Sequence, residues 1–164
     1  MRWVTVQVEV LEKVTGEVVE AFGRLLPQLS RSARRLGRAD IEEITSYQAN
    51  TVLVARCAGA ITGMMTLVMF PLPTGLRAWI EDVVVDESAR GQGVGEAMTR
   101  EALRISRQAG ARTVDLTSRP VRVAAGRLYE RMGFALRDSR VYRYPFQDSG
   151  PPRAAQASSA RGTS

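Results

Sequence analysis

Histidine is absent from the 164-residue chain, and cysteine and lysine occur once each, as Cys57 and Lys13. Without histidine no Ser–His or Cys–His relay can be assembled within the chain. Zinc, haem and copper lose their commonest ligands, so no metal is expected. A single cysteine permits no internal disulfide, and nothing asks for an oxidising compartment. No apolar run approaches the ~20 residues of a membrane helix. The segment Met1-Arg2-Trp3-Val4-Thr5-Val6-Gln7-Val8 alternates apolar and polar residues, unlike the unbroken apolar stretch of a secretory signal. These absences predict a cytoplasmic protein with no membrane partner. Aromatic residues are also scarce, at 6%. No cluster of them lies among basic residues to stack bases, so nucleic acid is not an expected partner despite the net charge of +6.

The composition that remains is globular, with 45% apolar and 24% charged residues. The length suits one domain with a core of its own. Of the 23 basic residues, 22 are arginine. A GC-rich genome produces that bias, and so does a need for the planar fork that grips phosphates and carboxylates. Residues 147–164 contain no Val, Ile, Leu, Met or aromatic residue, and twelve of them are Ser, Gly, Pro or Ala. Such a segment has little to bury and is expected to be disordered. The folded domain is therefore expected over 1–146 and a tail over 147–164.

Periodicity assigns the elements. Val4, Val6, Val8 and Val10 alternate with polar residues, a half-buried strand. A helix is expected from Thr15 to Ser30, shortened or kinked by Pro27, and a short one capped by Asp40. Strands are expected at Thr51–Ala58 and Ala60–Phe70, joined by a hairpin at Gly59. After a loop over Pro71–Gly75 comes a strand, Arg77–Val85. An amphipathic helix follows from Val94 to Ala109, closed by Gly110. A strand over Thr113–Thr117 leads to a helix over Val121–Met132, with the stripe Val121, Ala125, Leu128 and Met132. Two further strands are expected at Phe134–Arg137 and Arg140–Tyr144. The order β-α-α-β-β-β-α-β-α-β-β is an α/β or α+β sheet with helices on both faces.

The chemistry-bearing segment is the turn between strand and helix, Arg90-Gly91-Gln92-Gly93-Val94-Gly95. A helix start offers free N–H groups and partial positive charge, and so receives anions. Glycines permit positive φ and the close approach of a phosphate. The spacing is neither a Walker loop nor a dinucleotide fingerprint, since Gly-Lys-Ser/Thr is absent and Glu96 stands where the third glycine would be.

This turn resembles the R/Q-x-x-G-x-G/A motif of the GCN5-related N-acetyltransferase (GNAT) superfamily. A second stretch, Leu128-Tyr129-Glu130-Arg131-Met132-Gly133-Phe134, resembles the superfamily's LYEKxGF signature; where many members carry Asn six residues earlier, this chain has Arg122. The resemblance implies an acyl-CoA N-acyltransferase fold with a mixed, mostly antiparallel, splayed central sheet. It implies acetyl-CoA as cosubstrate, its pyrophosphate cradled by Arg90, Gly91, Gln92, Gly93, Val94, Gly95 and Glu96. The thioester carbonyl would meet a backbone N–H within Val83, Val84 and Val85, and Tyr129 would protonate the leaving thiolate.

The candidate base follows from the residues. Glu81 and Asp82 interrupt an apolar strand, where an unpaired carboxylate is costly if buried. Strict alternation would put Glu81 on one face with Trp79, Val83 and Val85. In apolar surroundings its pKa would rise and it could accept an ammonium proton; a salt bridge to an arginine is the alternative. Asp82 and Trp79 are the candidate acceptor-binding residues. Ile80-Glu81-Asp82-Val83 also resembles the matching strand of glucosamine-6-phosphate N-acetyltransferases. Four arginines fall within Arg31–Arg38, a segment that borders the acceptor in many members or serves as a solvated turn. Cys57, without an activating neighbour, reads as core. The expected activity is acetyl transfer to a small-molecule amine by direct attack in a ternary complex. A protein acetyltransferase and a non-catalytic acyl-CoA-binding module remain alternatives. Monomer and homodimer are both left open.

Overall fold

A computed structural model describes residues 5–146 of the chain. The disordered tail expected over 147–164, and Val4 of the first strand, lie outside them. The chain divides into a unit ending at Phe134 and a second beginning at Ala135.

The first unit holds five strands in the order β1-β2-β3-β4-β5. They are β1 (Val6–Val10), β2 (Asn50–Cys57), β3 (Ala60–Leu72), β4 (Gly75–Val85) and β5 (Thr113–Leu116). The first three pairings are antiparallel and β4–β5 is parallel. Four helices, α1 (Gly16–Leu29), α2 (Arg38–Ser46), α3 (Val94–Gln108) and α4 (Val123–Arg131), complete the unit.

The pleat of β2 divides the core between the two faces. Val52 and Val54 join Phe22 and Leu25 of α1 and Ile41 of α2. The alternate residues Leu53, Ala55 and Cys57 join Met98 and Ala102 of α3. Cys57 is thus a core residue, as expected. Thr99 and Ser106 are buried on α3 but return their hydroxyls to the carbonyls of Gly95 and Ala102, each at 2.7 Å. Their burial therefore leaves no polar group unsatisfied.

The hairpin at Gly59 forms as expected: Ala58 and Gly59 both have positive φ, +50° and +85°, the twist-matched two-residue turn. The loop expected over Pro71–Gly75 is instead a tight connection, because β3 runs to Leu72 and pairs it with Gly75. Asp40 is not the residue before its helix but lies in the first turn. From there it accepts the Gly37 N–H at 2.7 Å and the Arg34 guanidinium at 2.8 Å. Pro27 does not break α1, since it falls in the last turn. Val121 lies outside α4 and is 84% exposed, so it takes no part in that helix's apolar stripe.

The strands expected at Phe134–Arg137 and Arg140–Tyr144 do not form. Residues 135–146 are irregular, with Tyr144 and Phe146 stacked edge to face at 5.4 Å. An apolar–polar alternation becomes a strand only when a neighbouring strand pairs with its N–H and C=O groups. No such ladder includes these residues.

Two features of β4 shape the site. It pairs with β5 only from Arg77 to Ile80, then continues alone to Val85. On its other side, Met64 opposes Val84 but Thr66 opposes Glu81, so β4 carries one extra residue. That bulge holds Asp82 at φ +50°, a conformation that Asp tolerates better than most side chains.

Candidate active site

The bulge reverses the alternation of β4. Ala78 and Ile80 face the α3 side, and so do Val83 and Val85, whereas Val84 faces the α1–α2 side. Glu81 therefore keeps Trp79 on its face but not Val83 and Val85, correcting the arrangement expected from simple alternation. Glu81 is exposed rather than enclosed by apolar groups, and it accepts the Trp79 Nε1–H at 2.8 Å. Neither Glu81 nor Asp82 forms a salt bridge among the described residues. Asp82 is the exposed left-handed residue of the bulge. Beyond it, the peptide groups of Val83, Val84 and Val85 that point toward the β5 side have no strand partner among the described residues.

The turn that follows is built around glycine. Gly91 and Gly93 take φ +75° and +83°, and space for a side chain at either position is open to 4 Å. Gly93 is the N-cap of α3, and the first ladder bond runs from the Ala97 N–H to the Gly93 carbonyl at 2.9 Å. The N–H groups of Val94, Gly95 and Glu96 are thus left without intrahelical acceptors. A concave run of free N–H groups at a helix start fits a diphosphate. Arg90 is exposed and hydrogen-bonds the Val85 carbonyl through Nε at 3.3 Å, bridging strand end and turn. Gln92 closes the turn on the Ser88 carbonyl at 3.1 Å. Val94 is buried, so its contribution is its backbone, and Glu96 pairs with Arg100 at 2.7 Å.

Gly95 plays a different part from its two neighbours. A Cβ there would lie 3.3 Å from Leu128 Cδ2 and 3.9 Å from Val85 Cγ2. Its bareness leaves room for Leu128 of α4 beside α3 and the end of β4. Gly63 lets α3 lie close on β3, because a Cβ there would come within 2.9 Å of Val94 and Met98. Tyr129 is half-buried and packs edge to face on Phe134 at 5.6 Å. Burial pushes its phenol above the ordinary value of 10.0, partly offset by the positive charge of Arg122. It therefore stays protonated at neutral pH.

Sequence reasoning missed the supports beneath the turn. Asp86, at the end of β4, is buried and accepts from Ser88 N–H, Ser88 Oγ and Arg24 Nε. Gln28 Oε1 accepts the Glu87 N–H at 3.0 Å. The local signal was the Asp–x–Ser spacing, which favours an Asx-type turn. Nothing local could have revealed Arg24, 62 residues away.

Of the arginines in Arg31–Arg38, Arg34 is paired with Asp40, and Arg38 bonds the Val14 carbonyl and faces Glu42 at 3.9 Å. None of the described helices is long and apolar enough to cross a membrane, and no group of metal-ligating side chains occurs among the described residues.

Comparison with known proteins agrees with this geometry. Residues 19–134 match the acetyltransferase (GNAT) family. Over 71 residues, 43% of this chain, the sequence is 35% identical to N-alpha-acetyltransferase 30 of Schizosaccharomyces pombe. Over 86 residues, 51% of this chain, it is 38% identical to glucosamine 6-phosphate N-acetyltransferase of Trypanosoma brucei brucei. The chain spans about half the length of these relatives, 47% and 56%. The crystal structure of an acetyltransferase from Trypanosoma brucei superposes with a TM-score of 0.70 at 28% identity, over 87% of this chain and all of that one. The glycine turn at the start of α3, the bulged and splayed β4, and a match covering most of the domain place this chain in the GNAT acetyltransferase family.

Proposed function

We propose that the protein is an acetyl-CoA-dependent N-acetyltransferase that acts on a primary amine of a small molecule, by direct attack in a ternary complex. The observation that carries this reading is the unpaired edge of β4 running straight into the glycine turn, an extended hydrogen-bonding edge followed by an anion cradle. That is the pattern of donors and acceptors a pantetheine arm and its diphosphate require. Bound acetyl-CoA supplies the activated acetyl thioester.

The chain's own residues supply the rest. Free N–H groups of Val94, Gly95 and Glu96, with Gly91, Gln92 and Gly93 before them and Arg90 beside them, hold the diphosphate. The β4 segment Val83–Val85 orients the arm and offers an N–H to the thioester oxygen, a fixed dipole where negative charge develops. Tyr129 holds a proton for the departing sulfur; its burial keeps that proton in place until it is needed. Glu81, fixed by the Trp79 indole, takes the ammonium proton of the acceptor directly or through water. Asp82 adds negative charge beside it, and Trp79 presents an aromatic face to a cationic acceptor.

The name of the Schizosaccharomyces pombe relative, an N-alpha-acetyltransferase, favours one alternative, an acceptor that presents an α-amine, as a peptide N-terminus would. A screen of small amines and short peptides, read by release of free thiol from acetyl-CoA, tests both. Turnover with small amines and none with peptides is expected. Turnover with peptides alone would replace the acceptor class. Coenzyme binding without acceptor-dependent thiol release from any candidate would favour a binding module.

A further inference from the structure

Asp86 is a buried carboxylate to which the reaction scheme above gives no part. Its two oxygens are divided between two tasks. Oδ1 accepts the Ser88 N–H at 3.1 Å and the Ser88 hydroxyl at 2.7 Å, while Oδ2 accepts Arg24 Nε at 2.9 Å. Its own N–H donates to the Thr62 carbonyl of β3 at 2.8 Å. Arg24, on α1, uses a second nitrogen to reach the Ile61 carbonyl at 2.6 Å. One helical turn later, Gln28 accepts the N–H of Glu87. The entrance of the glycine turn is thus tied to β3 and to α1 together. Its exit is held by Val94 and Met98, packed over Gly63.

A turn containing two left-handed glycines has little stiffness of its own. Its N–H groups converge on one point only if both ends are fixed, and a ligand that must first order them binds more weakly. We infer that Asp86 and Arg24 are positioning residues that lock the turn between β4 and α3 in its anion-receiving shape. The inference rests on the coenzyme reading above and names the parts that make it work. The low proton affinity of Asp86, held down by Ser88 and Arg24, keeps the tie ionised across the working pH range.

Substitution at Asp86 separates positioning from simple electrostatics, because the two predict opposite signs. Asp86→Asn deletes a negative charge close to an anion site, and charge alone would then tighten coenzyme binding. Positioning predicts the reverse. The amide NH2 must face either the Arg24 N–H or the Ser88 donors, so one tie is lost whichever way it turns.

The test is titration calorimetry of coenzyme A into wild type, Asp86→Asn, Arg24→Met and Arg24→Lys, with kcat and KM for acetyl-CoA alongside. Asp86→Asn and Arg24→Met should weaken coenzyme binding roughly 10- to 100-fold, the loss expected of a charged hydrogen bond. At saturation kcat should stay within about 3-fold, since no reacting atom is touched. Arg24→Lys should fall between wild type and Arg24→Met. Equal or tighter binding by Asp86→Asn overturns the inference. If that variant does not fold, wild-type affinity in Arg24→Met overturns it in the same way. A purely structural role would lower the melting temperature while leaving KM unchanged below it. Failure of the wild type itself to bind coenzyme A would instead refute the coenzyme reading, a distinct result.

Discussion

Gly93 and Gly95 stand two residues apart in one motif, yet the structure gives them opposite sensitivities. Gly93 sits at φ +83° with open space around it. Alanine there meets no atom, so its cost is conformational, about 1–2 kcal/mol for an L-residue held left-handed. In a chain of this size that lowers the melting temperature by about 2–8 °C. Asparagine, which tolerates this region, should cost less than alanine, and β-branched valine more. Gly95 is already helical. Alanine there gains up to ~1 kcal/mol of helix propensity and needs only a small shift of the Leu128 side-chain end, 3.3 Å away. Gly95→Ala should therefore lie within about 1 kcal/mol of wild type and keep its coenzyme response. Gly95→Val should displace Leu128, and a second change, Leu128→Ala, should recover part of the loss. Thermal melts of the set with and without coenzyme A read all of this. The reasoning is refuted if Gly95→Ala is damaged more than Gly93→Ala, or if valine is harmless at position 93.

Three further outcomes are expected. Tyr129→Phe should lower kcat roughly 10- to 1,000-fold with little change in coenzyme affinity, and the alkaline limb that it removes should lie above the ordinary tyrosine value of 10.0, because burial raises this phenol. Glu81→Gln should abolish the rise of kcat/KM with pH and regain rate only where the amine is already neutral; a superimposable pH–rate series would take Glu81 out of the mechanism. Asp86 is lowered from 3.8 to about 2, so its stabilisation is complete above pH ~4 and fades as pH falls toward ~2. Denaturant unfolding in that window should lose about 2 kcal/mol in the wild type and less in Asp86→Asn.

The elements that the sequence made plain were those governed by local chemistry. The paired turn at Ala58-Gly59, the stop at Gly110, and the glycine turn before Val94 each depend on neighbours a few residues away. The bulge in β4 was hidden because an extra residue leaves no local signature; Glu81 and Asp82 looked like an alternation interrupted by charge. Only the pairing of Thr66 with Glu81 and of Met64 with Val84 exposes it. The tie from Arg24 to Asp86 spans 62 residues and could not be read from spacing. The two final strands were expected from pattern alone, and pattern does not supply a pairing partner. The apolar stripe of α4 was overestimated for a related reason, since no residue of that helix is fully buried.

The extra residue in β4 also sets how this strand can change over time. Val83 and Val85 reach the α3 core, and Val84 the opposite core, because the bulge absorbs the one residue that the ladder with β3 cannot pair. Deleting Asp82 would remove the bulge yet leave each valine where it is, because Val83 would then stand two positions after Ile80 and ordinary alternation would carry it to the same core. Point substitution is tolerated for a different reason. Glu81 and Asp82 are exposed, and no core contact depends on either side chain. The strand therefore permits changes of identity at the two positions proposed to face the acceptor, and the bulge permits a change of length there without moving the core valines. A lineage could exchange one amine for another there, residue by residue, while the fold and its coenzyme turn stayed as they are.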